Sequence, residues 1–234
     1  MIDWHSHILP AMDDGSKDPD ESIAMIDALA AQGIDTVVAT PHFLANEETA
    51  DTFLERRKAS LEKLSERGYD RKVRIVCGAE VKYYPGISRM EDLNRLTIGD
   101  SNLLLLEMPF AKWSEHTVAE LLELVNLRGL KIIMAHIERY LALQDQQTIE
   151  RLIDEGLLMQ VNGSYFNGFF TGRKAIKLLA SGYIHFVGSD CHNMTTRAPA
   201  LRSTYERIEK KLGSDFLSHM NEFGYRALAY QSKL

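Results

Sequence analysis

Residues 1–7, Met1-Ile2-Asp3-Trp4-His5-Ser6-His7, and residues 187–192, Val187-Gly188-Ser189-Asp190-Cys191-His192, decide together how this chain closes. Strands are expected near Ile2–Trp4 and Ile184–Val187, and each runs into a pair of metal-type ligands. Side chains at i and i+2 of a strand share a face, so His5 and His7 are expected to chelate one ion. Asp190 and His192 are expected to repeat that geometry on the last strand. An open sheet would hold these two pairs apart, whereas a closed barrel sets the last strand beside the first and brings them together.

Between these ends, short apolar runs alternate with amphipathic stretches. Further strands are expected near Thr36–Ala39, Val73–Cys77, Leu103–Leu106, Lys131–Ala135 and Leu158–Val161. The first helix starts at Asp18-Pro19, with Pro in a helix-start position, and ends before Gly33. Others are expected over Glu47–Arg67, Glu115–Arg128, Thr148–Glu155 and Arg173–Ser181, each stopped by glycine, with a terminal helical region from Ala200. Strands alternating with helices imply parallel strands joined by crossovers, which suits a doubly wound sheet as well as a barrel. No linker, repeat or low-complexity tract is visible, so residues 1–234 read as a single domain.

Ligand-type residues recur where strands end. His42 follows the second strand, Glu80 the third, Glu107 caps the fourth and His136 follows the fifth. Parallel α/β folds place active sites at that end of their strands. A lone His there is more often a hydrogen-bonded core residue. The joint recurrence of His-x-His, Asp-x-His and further strand-end ligands marks a metal site. His116, His185 and His219 lie at a helix start, within a strand and in the terminal helical region, and read as structural.

Composition narrows the classes. With 27 basic against 33 acidic residues the net charge is −6, and no basic run resembles a nucleic-acid footprint. Two cysteines, Cys77 and Cys191, offer no disulfide framework. The start lacks a signal-peptide pattern, and no apolar run approaches the roughly 20 residues that span a bilayer. A cytoplasmic location without membrane insertion is therefore expected. Oligomeric state stays open.

These motifs resemble the PHP (polymerase and histidinol phosphatase) superfamily, and more narrowly the bacterial protein-tyrosine phosphatases of capsule and exopolysaccharide operons. The matching segments are Ile2–Pro10 with Asp13-Asp14-Gly15, Ala39-Thr40-Pro41-His42, Gly78-Ala79-Glu80, Glu107-Met108-Pro109, His136-Ile137-Glu138-Arg139-Tyr140 and Ser189-Asp190-Cys191-His192-Asn193. The resemblance implies a distorted (β/α)7 barrel holding three divalent ions. It assigns His5, His7, Glu80 and Asp190 to one ion, and Glu80 as a bridge with Glu107 and His136 to a second. Asp14, His42 and His192 would hold the third. Manganese is what the family suggests, while iron, zinc and magnesium also suit a nitrogen and oxygen set without thiolate. The implied substrate is the phosphotyrosine-bearing tail of a bacterial tyrosine kinase. Two departures stand out, Ile137 where the family usually has Pro and Cys191 where it usually has Ala.

Arg139 and Arg197 follow ligand-bearing strands, and their guanidinium forks suit a phosphoryl group. The aromatics Tyr165, Phe166, Phe169 and Phe170 follow the sixth strand, the one without an obvious ligand, where they either pack an aryl leaving group or anchor the next helix. Rival readings are a histidinol-phosphate or other small-molecule phosphatase, an amidohydrolase, and a non-catalytic, metal-stabilised regulator that binds a kinase. Cys191-x5-Arg197 also has the spacing of a cysteine-phosphatase loop. That loop usually contains glycines, absent here, and its thiolate would lack evident activation.

Overall fold

The computed structural model describes residues 1–70 and 72–229. Its strands are β1 (Ile2–Ser6), β2 (Thr36–Ala39), β3 (His42–Phe43), β4 (Arg74–Cys77), β5 (Glu80–Lys82), β6 (Leu103–Glu107), β7 (Lys131–Met134), β8 (Leu158–Asn162) and β9 (Phe186–Gly188). Every pair of neighbouring strands is parallel, in the orders β1-β2-β4 and β3-β5-β6-β7-β8-β9. The two orders belong to one curled wall. β3 continues β2 past a break at Thr40-Pro41, and β5 continues β4 past Gly78-Ala79. Each of the expected strands is present, and two of them are broken in this way.

The wall closes where the two ends of the chain meet. Asp190 N–H donates to the His5 carbonyl at 2.8 Å, and His7 N–H donates to the Cys191 carbonyl at 2.9 Å. Beneath them, buried Asp3 accepts from the Ser189 amide at 2.7 Å and from its hydroxyl at 2.6 Å. The result is a distorted seven-stranded barrel of the PHP type.

Helices pack on the outside: α1 (Pro19–Ala30), α2 (Ala50–Glu66), α3 (Glu115–Asn126), α4 (Gln146–Asp154), α5 (Gly163–Asn167), α6 (Phe169–Ala180), α7 (Arg202–Leu212) and α8 (Ser214–Ala229). Local chemistry sets the starts well. Asp18 caps α1 by accepting from the Glu21 amide at 2.9 Å, ahead of Pro19. Thr49 caps α2 in the same way, so that helix begins at Ala50, later than the expected Glu47. α6 begins at Phe169, four residues before the expected Arg173, and the short α5 precedes it. Tertiary burial of Phe166 ties this aromatic segment down, a contact that helix periodicity does not register.

Outside β1, side chains alternate through the wall. Leu104 and Leu106 face the helices, with Ile132, Met134, Met159 and Val161. Leu103, Leu105, Ile133 and Ala135 face the interior with Ile2, Trp4 and Phe186. By the same alternation Glu107, Gln160 and Asn162 point inward, at the end of the barrel where the strands finish. β1 carries an irregularity between Asp3 and Ser6. This shift lets Trp4 and then His5 both serve the interior.

Candidate metal centre

The C-terminal mouth of the barrel gathers His5, His7, Asp14, His42, Glu80, Glu107, His136, Asp190 and His192. Glu80 is central. Its Oε2 lies 3.1 Å from His5 Nε2, 3.3 Å from His7 Nε2 and 3.1 Å from His42 Nδ1. Its Oε1 is 2.9 Å from His136 Nε2, which also stands 3.6 Å from Glu107 Oε1. Asp190 Oδ1 is 3.7 Å from His5 Nε2 and 3.6 Å from His7 Nε2. Asp14 Oδ1 is 3.5 Å from His42 Nε2 and 3.4 Å from His192 Nε2. Donor atoms within 4.8 Å of one another form the groups His5-His7-Asp190, His7-Asp14-His42-His192 and His42-Glu80-Glu107.

The imidazoles are held by the ring nitrogen that points away from this centre. His5 Nδ1 lies 3.2 Å from Gln160 Oε1, His7 Nδ1 2.7 Å from Asp13 Oδ2, and His192 Nδ1 3.0 Å from the Asp190 carbonyl. Each of those partners accepts, so each Nδ1 carries a proton, and each Nε2 is the nitrogen that presents a lone pair to the centre when the ring is neutral. Two such lone pairs, on His5 and His7, face one another at 3.2 Å. Glu80 Oε2 and His192 Nε2 are buried without a hydrogen-bond partner among the described residues. Buried polar atoms are almost always paired, and lone pairs aimed at each other repel. A cation between them removes both costs. The donor set therefore fits divalent metal, and no thiolate takes part.

The electrostatics agree. Burial alone would depress His7, but the carboxylates of Asp13 and Glu80, which accept from its ring and attract its positive charge, outweigh it and push its pKa up to about 10. Burial would raise Glu80, yet the surrounding imidazoles, His5 first, hold it well below the usual carboxylate range. The carboxylates at this mouth thus favour positive charge among the imidazoles, whether a proton or a metal ion supplies it.

Two candidate ligands sit on strained backbone. His136 has φ 36° and Asp190 φ 53°, left-handed values that cost a non-glycine residue about 1–2 kcal/mol. The last strand stops at Gly188, so Asp190 and His192 do not continue it as an i, i+2 pair. The left-handed turn at Asp190 sends its carboxylate to His5 and His7, and His192 towards Asp14. The expectation of repeated strand geometry is corrected on this point. His185 also lies just outside its strand, accepting the Met159 amide at 3.1 Å. Gly188 itself is required, since a Cβ there would stand 2.6 Å from His5 Cβ.

Several supporting residues escaped the sequence reading. Asp13 accepts from His7 and from the His42 amide at 2.8 Å, and so braces two candidate ligands from behind. Gln160 Oε1 also accepts from the His136 amide at 2.7 Å, and its Nε2 donates to Asn162 Oδ1 at 3.0 Å. Asn162 in turn donates to Asp190 Oδ2 at 2.8 Å. The sixth barrel strand, β8, therefore serves the centre without a ligand of its own. Its signal was the pair of amides two residues apart in an otherwise apolar strand.

Arg139 and Arg197 flank the centre at its solvent edge, each about 40% exposed. Their Nη2 atoms bind the two oxygens of Asp190, at 3.0 Å from Arg139 and 2.7 Å from Arg197. Asn193 orders the loop to Arg197, its Oδ1 accepting amides from Thr195, Thr196 and Arg197. Cys191 faces the hydrophobic layer, and burial pushes its thiol far above the usual range. A buried, protonated thiol is no nucleophile. Of the aromatics after β8, Phe166 is buried while Phe169 and Phe170 are 64% and 80% exposed.

The family described as capsular polysaccharide synthesis, CpsB/CapC, matches residues 1–222. The tyrosine-protein phosphatase CpsB of Streptococcus pneumoniae is 32% identical over 234 residues, covering 92% of each chain. The tyrosine-protein phosphatase YwqE of Bacillus subtilis strain 168 is 31% identical over 228 residues, covering 92% of this chain and 86% of YwqE. A crystal structure from the set of YwqE and CpsB, described as metal-dependent tyrosine phosphatases, superposes with a TM-score of 0.84 at 27% identity, covering all of this chain and 96% of that one. The chain belongs to the CpsB/CapC family.

Proposed function

We propose that this member of the CpsB/CapC family is a metal-dependent protein-tyrosine phosphatase acting in capsule synthesis, with the barrel mouth as its active site. The relatives named tyrosine-protein phosphatases support the reaction class. The observation that carries the reading is the convergence of bare imidazole nitrogens on Glu80 and Asp190, with two guanidinium groups at the edge of the same cluster.

Three divalent ions, manganese by family expectation, would be held by the nine residues. His5, His7, Glu80 and Asp190 hold one, Glu80, Glu107 and His136 a second, and Asp14, His42 and His192 a third. When bound, such ions polarise water towards hydroxide near neutral pH and draw phosphoryl oxygens to the site. The chain's own groups do the rest. Arg139 and Arg197 keep their charge at any working pH and offer forks that match the phosphoryl oxygens, so both would clamp the transferring group. Asp190 holds the two forks in place until substrate arrives. A departing tyrosinate has a conjugate acid of pKa about 10, so it leaves with little help from a general acid. Gln160, Asn162 and Asp13 hold ligands still and so lower the reorganisation cost of the reaction.

The natural substrate we propose is the phosphotyrosine-bearing tail of a bacterial tyrosine kinase, in the cytoplasm. No helix among the described residues is long and apolar enough to cross a membrane. The test compares kcat/KM on a phosphotyrosyl peptide and on histidinol phosphate, with and without a chelator. Chelator-sensitive preference for the peptide is expected. Activity that survives metal removal overturns the metal reading, and preference for histidinol phosphate overturns the substrate. Arg139→Ala and Arg197→Ala should each lower kcat/KM about 100-fold on every phosphomonoester while bound metal stays.

A further inference from the structure

The acidic residues of this chain leave one long gap. Between Glu155 and Asp190 there is no Asp or Glu, and the charges within that gap are Arg173, Lys174 and Lys177. All three lie on α6 and are exposed. Arg173 is occupied, its guanidinium 4.3 Å from the Phe169 ring centre. Neither Lys174 nor Lys177 forms an ion pair among the described residues. On a chain of net charge −6, this is a local reversal of sign.

The lysines border a groove between α4 and α6 of about 500 Å3. Its apolar lining comes from Leu141, Ile149, Leu178 and Tyr183. On the α4 side, Glu150 accepts from the Tyr183 hydroxyl and from Gln146 and keeps its negative charge, so the positive charge of the groove lies along its α6 wall. The groove runs down the outside of the barrel from its mouth end, because Leu141 and Gln144 belong to the loop that follows β7 and α6 follows the mouth end of β8.

We propose that this groove docks an acidic segment of the phosphoprotein substrate, next to the phosphotyrosine being hydrolysed. The proposal rests on the phosphatase reading above. Complementary charge favours carboxylates on the segment, and two lysines without an arginine suit single carboxylates better than the forked recognition of a second phosphate. The apolar lining takes the aliphatic or aromatic side chains between them. A concave wall of this size receives a chain, whereas a membrane face would project outwards.

The test uses the metal-loaded protein and the double variant Lys174→Glu/Lys177→Glu. Three substrates are compared: a phosphotyrosyl peptide flanked by Asp and Glu, the same peptide with Asn and Gln, and p-nitrophenyl phosphate, which is too small to reach the groove. The native protein should favour the acidic peptide by about fivefold, through KM, with the preference fading at high salt. The variant should lose that preference and hydrolyse p-nitrophenyl phosphate as before. An unchanged preference in the variant overturns the docking site. So does an unchanged preference accompanied by lost binding to phosphatidylglycerol vesicles, which would make the face a membrane contact. Failure of the phosphatase reading is distinguishable, since the native protein would then leave p-nitrophenyl phosphate intact.

Discussion

The two ends of the barrel are equally buried and oppositely made. At the floor, Trp4 stacks on Phe186 with ring centres 3.8 Å apart, and Phe223 of α8 covers Phe186 at 5.5 Å. α8 comes this close because Gly224 has no side chain, and a Cβ there would stand 3.1 Å from Ile2. The Tyr205 hydroxyl nearby is satisfied, donating to the Ile2 carbonyl at 2.7 Å. At the mouth, His5, His7, Glu80 and His136 are just as inaccessible, 0–1% exposed. There the lone pairs point at one another and the backbone is strained. Burial does not separate core from site here. The chemistry of the unpaired atoms does: at the floor the neutral amide oxygen of Asn102 lacks a partner among the described residues, whereas at the mouth a carboxylate oxygen of Glu80 and an imidazole nitrogen of His192 do, a combination that a cation would satisfy.

The contrast breaks if the mouth proves to be ordinary core. Glu80→Ala should reduce kcat/KM by at least about 1000-fold, because one carboxylate faces four imidazoles at the reacting centre. Elemental analysis should show metal falling from close to three ions per chain, whereas Cys191→Ser should keep both metal and most activity. Retained activity in Glu80→Ala, or total loss in Cys191→Ser with metal intact, would reverse the assignment.

At the floor, Phe186→Ala should cost about 3–5 kcal/mol of unfolding free energy. Ions bound per folded chain should stay the same, measured well below the lowered Tm. Loss of metal in this variant without loss of stability would show the two ends to be one unit.

Gln160 sharpens the boundary between them, since it lies on the same inward face as the floor residue Leu158. Gln160→Leu removes the acceptor behind His5 and His136, and should weaken metal binding about 10–100-fold in competition with a chelator. Gln160→Glu keeps the acceptor and should recover part of that affinity. Equal affinity in all three proteins would reduce Gln160 to packing.

The smallest effect concerns pH at His185, beside Phe186 and Phe223. Burial lowers its pKa to about 4, below the ordinary value of 6.5. The unfolded chain therefore takes up the proton first. Stability from this residue is whole above pH 6.5 and is lost as pH falls through 4. Denaturant titrations should show that decline reduced in His185→Gln, and an identical decline in both proteins would remove His185 from the account.

Much of this was legible beforehand because it is local. Alternating patterns marked the strands, and Asp18, Pro19 and Thr49 act on their own helix starts. Ligand types at strand ends were visible because side-chain chemistry comes with the residue. Helix starts slipped where a distant contact intervened, as at Phe166. The support from Gln160 went unread because an amide in a strand has no meaning until its partners, 155 and 24 positions away, are known.

By itself the sequence determined the ligand inventory, the strand–helix alternation and the sign of the charge along each segment, since these belong to residue type and short-range periodicity. Only the tertiary structure decided which imidazole nitrogen faces the centre, because Gln160, Asp13 and the Asp190 carbonyl set each ring. It also parted Asp190 from His192, through a left-handed turn held by the hydrogen bonds that close the barrel. And it turned an acid-free stretch into the wall of a groove, because that wall exists only where α6 meets α4.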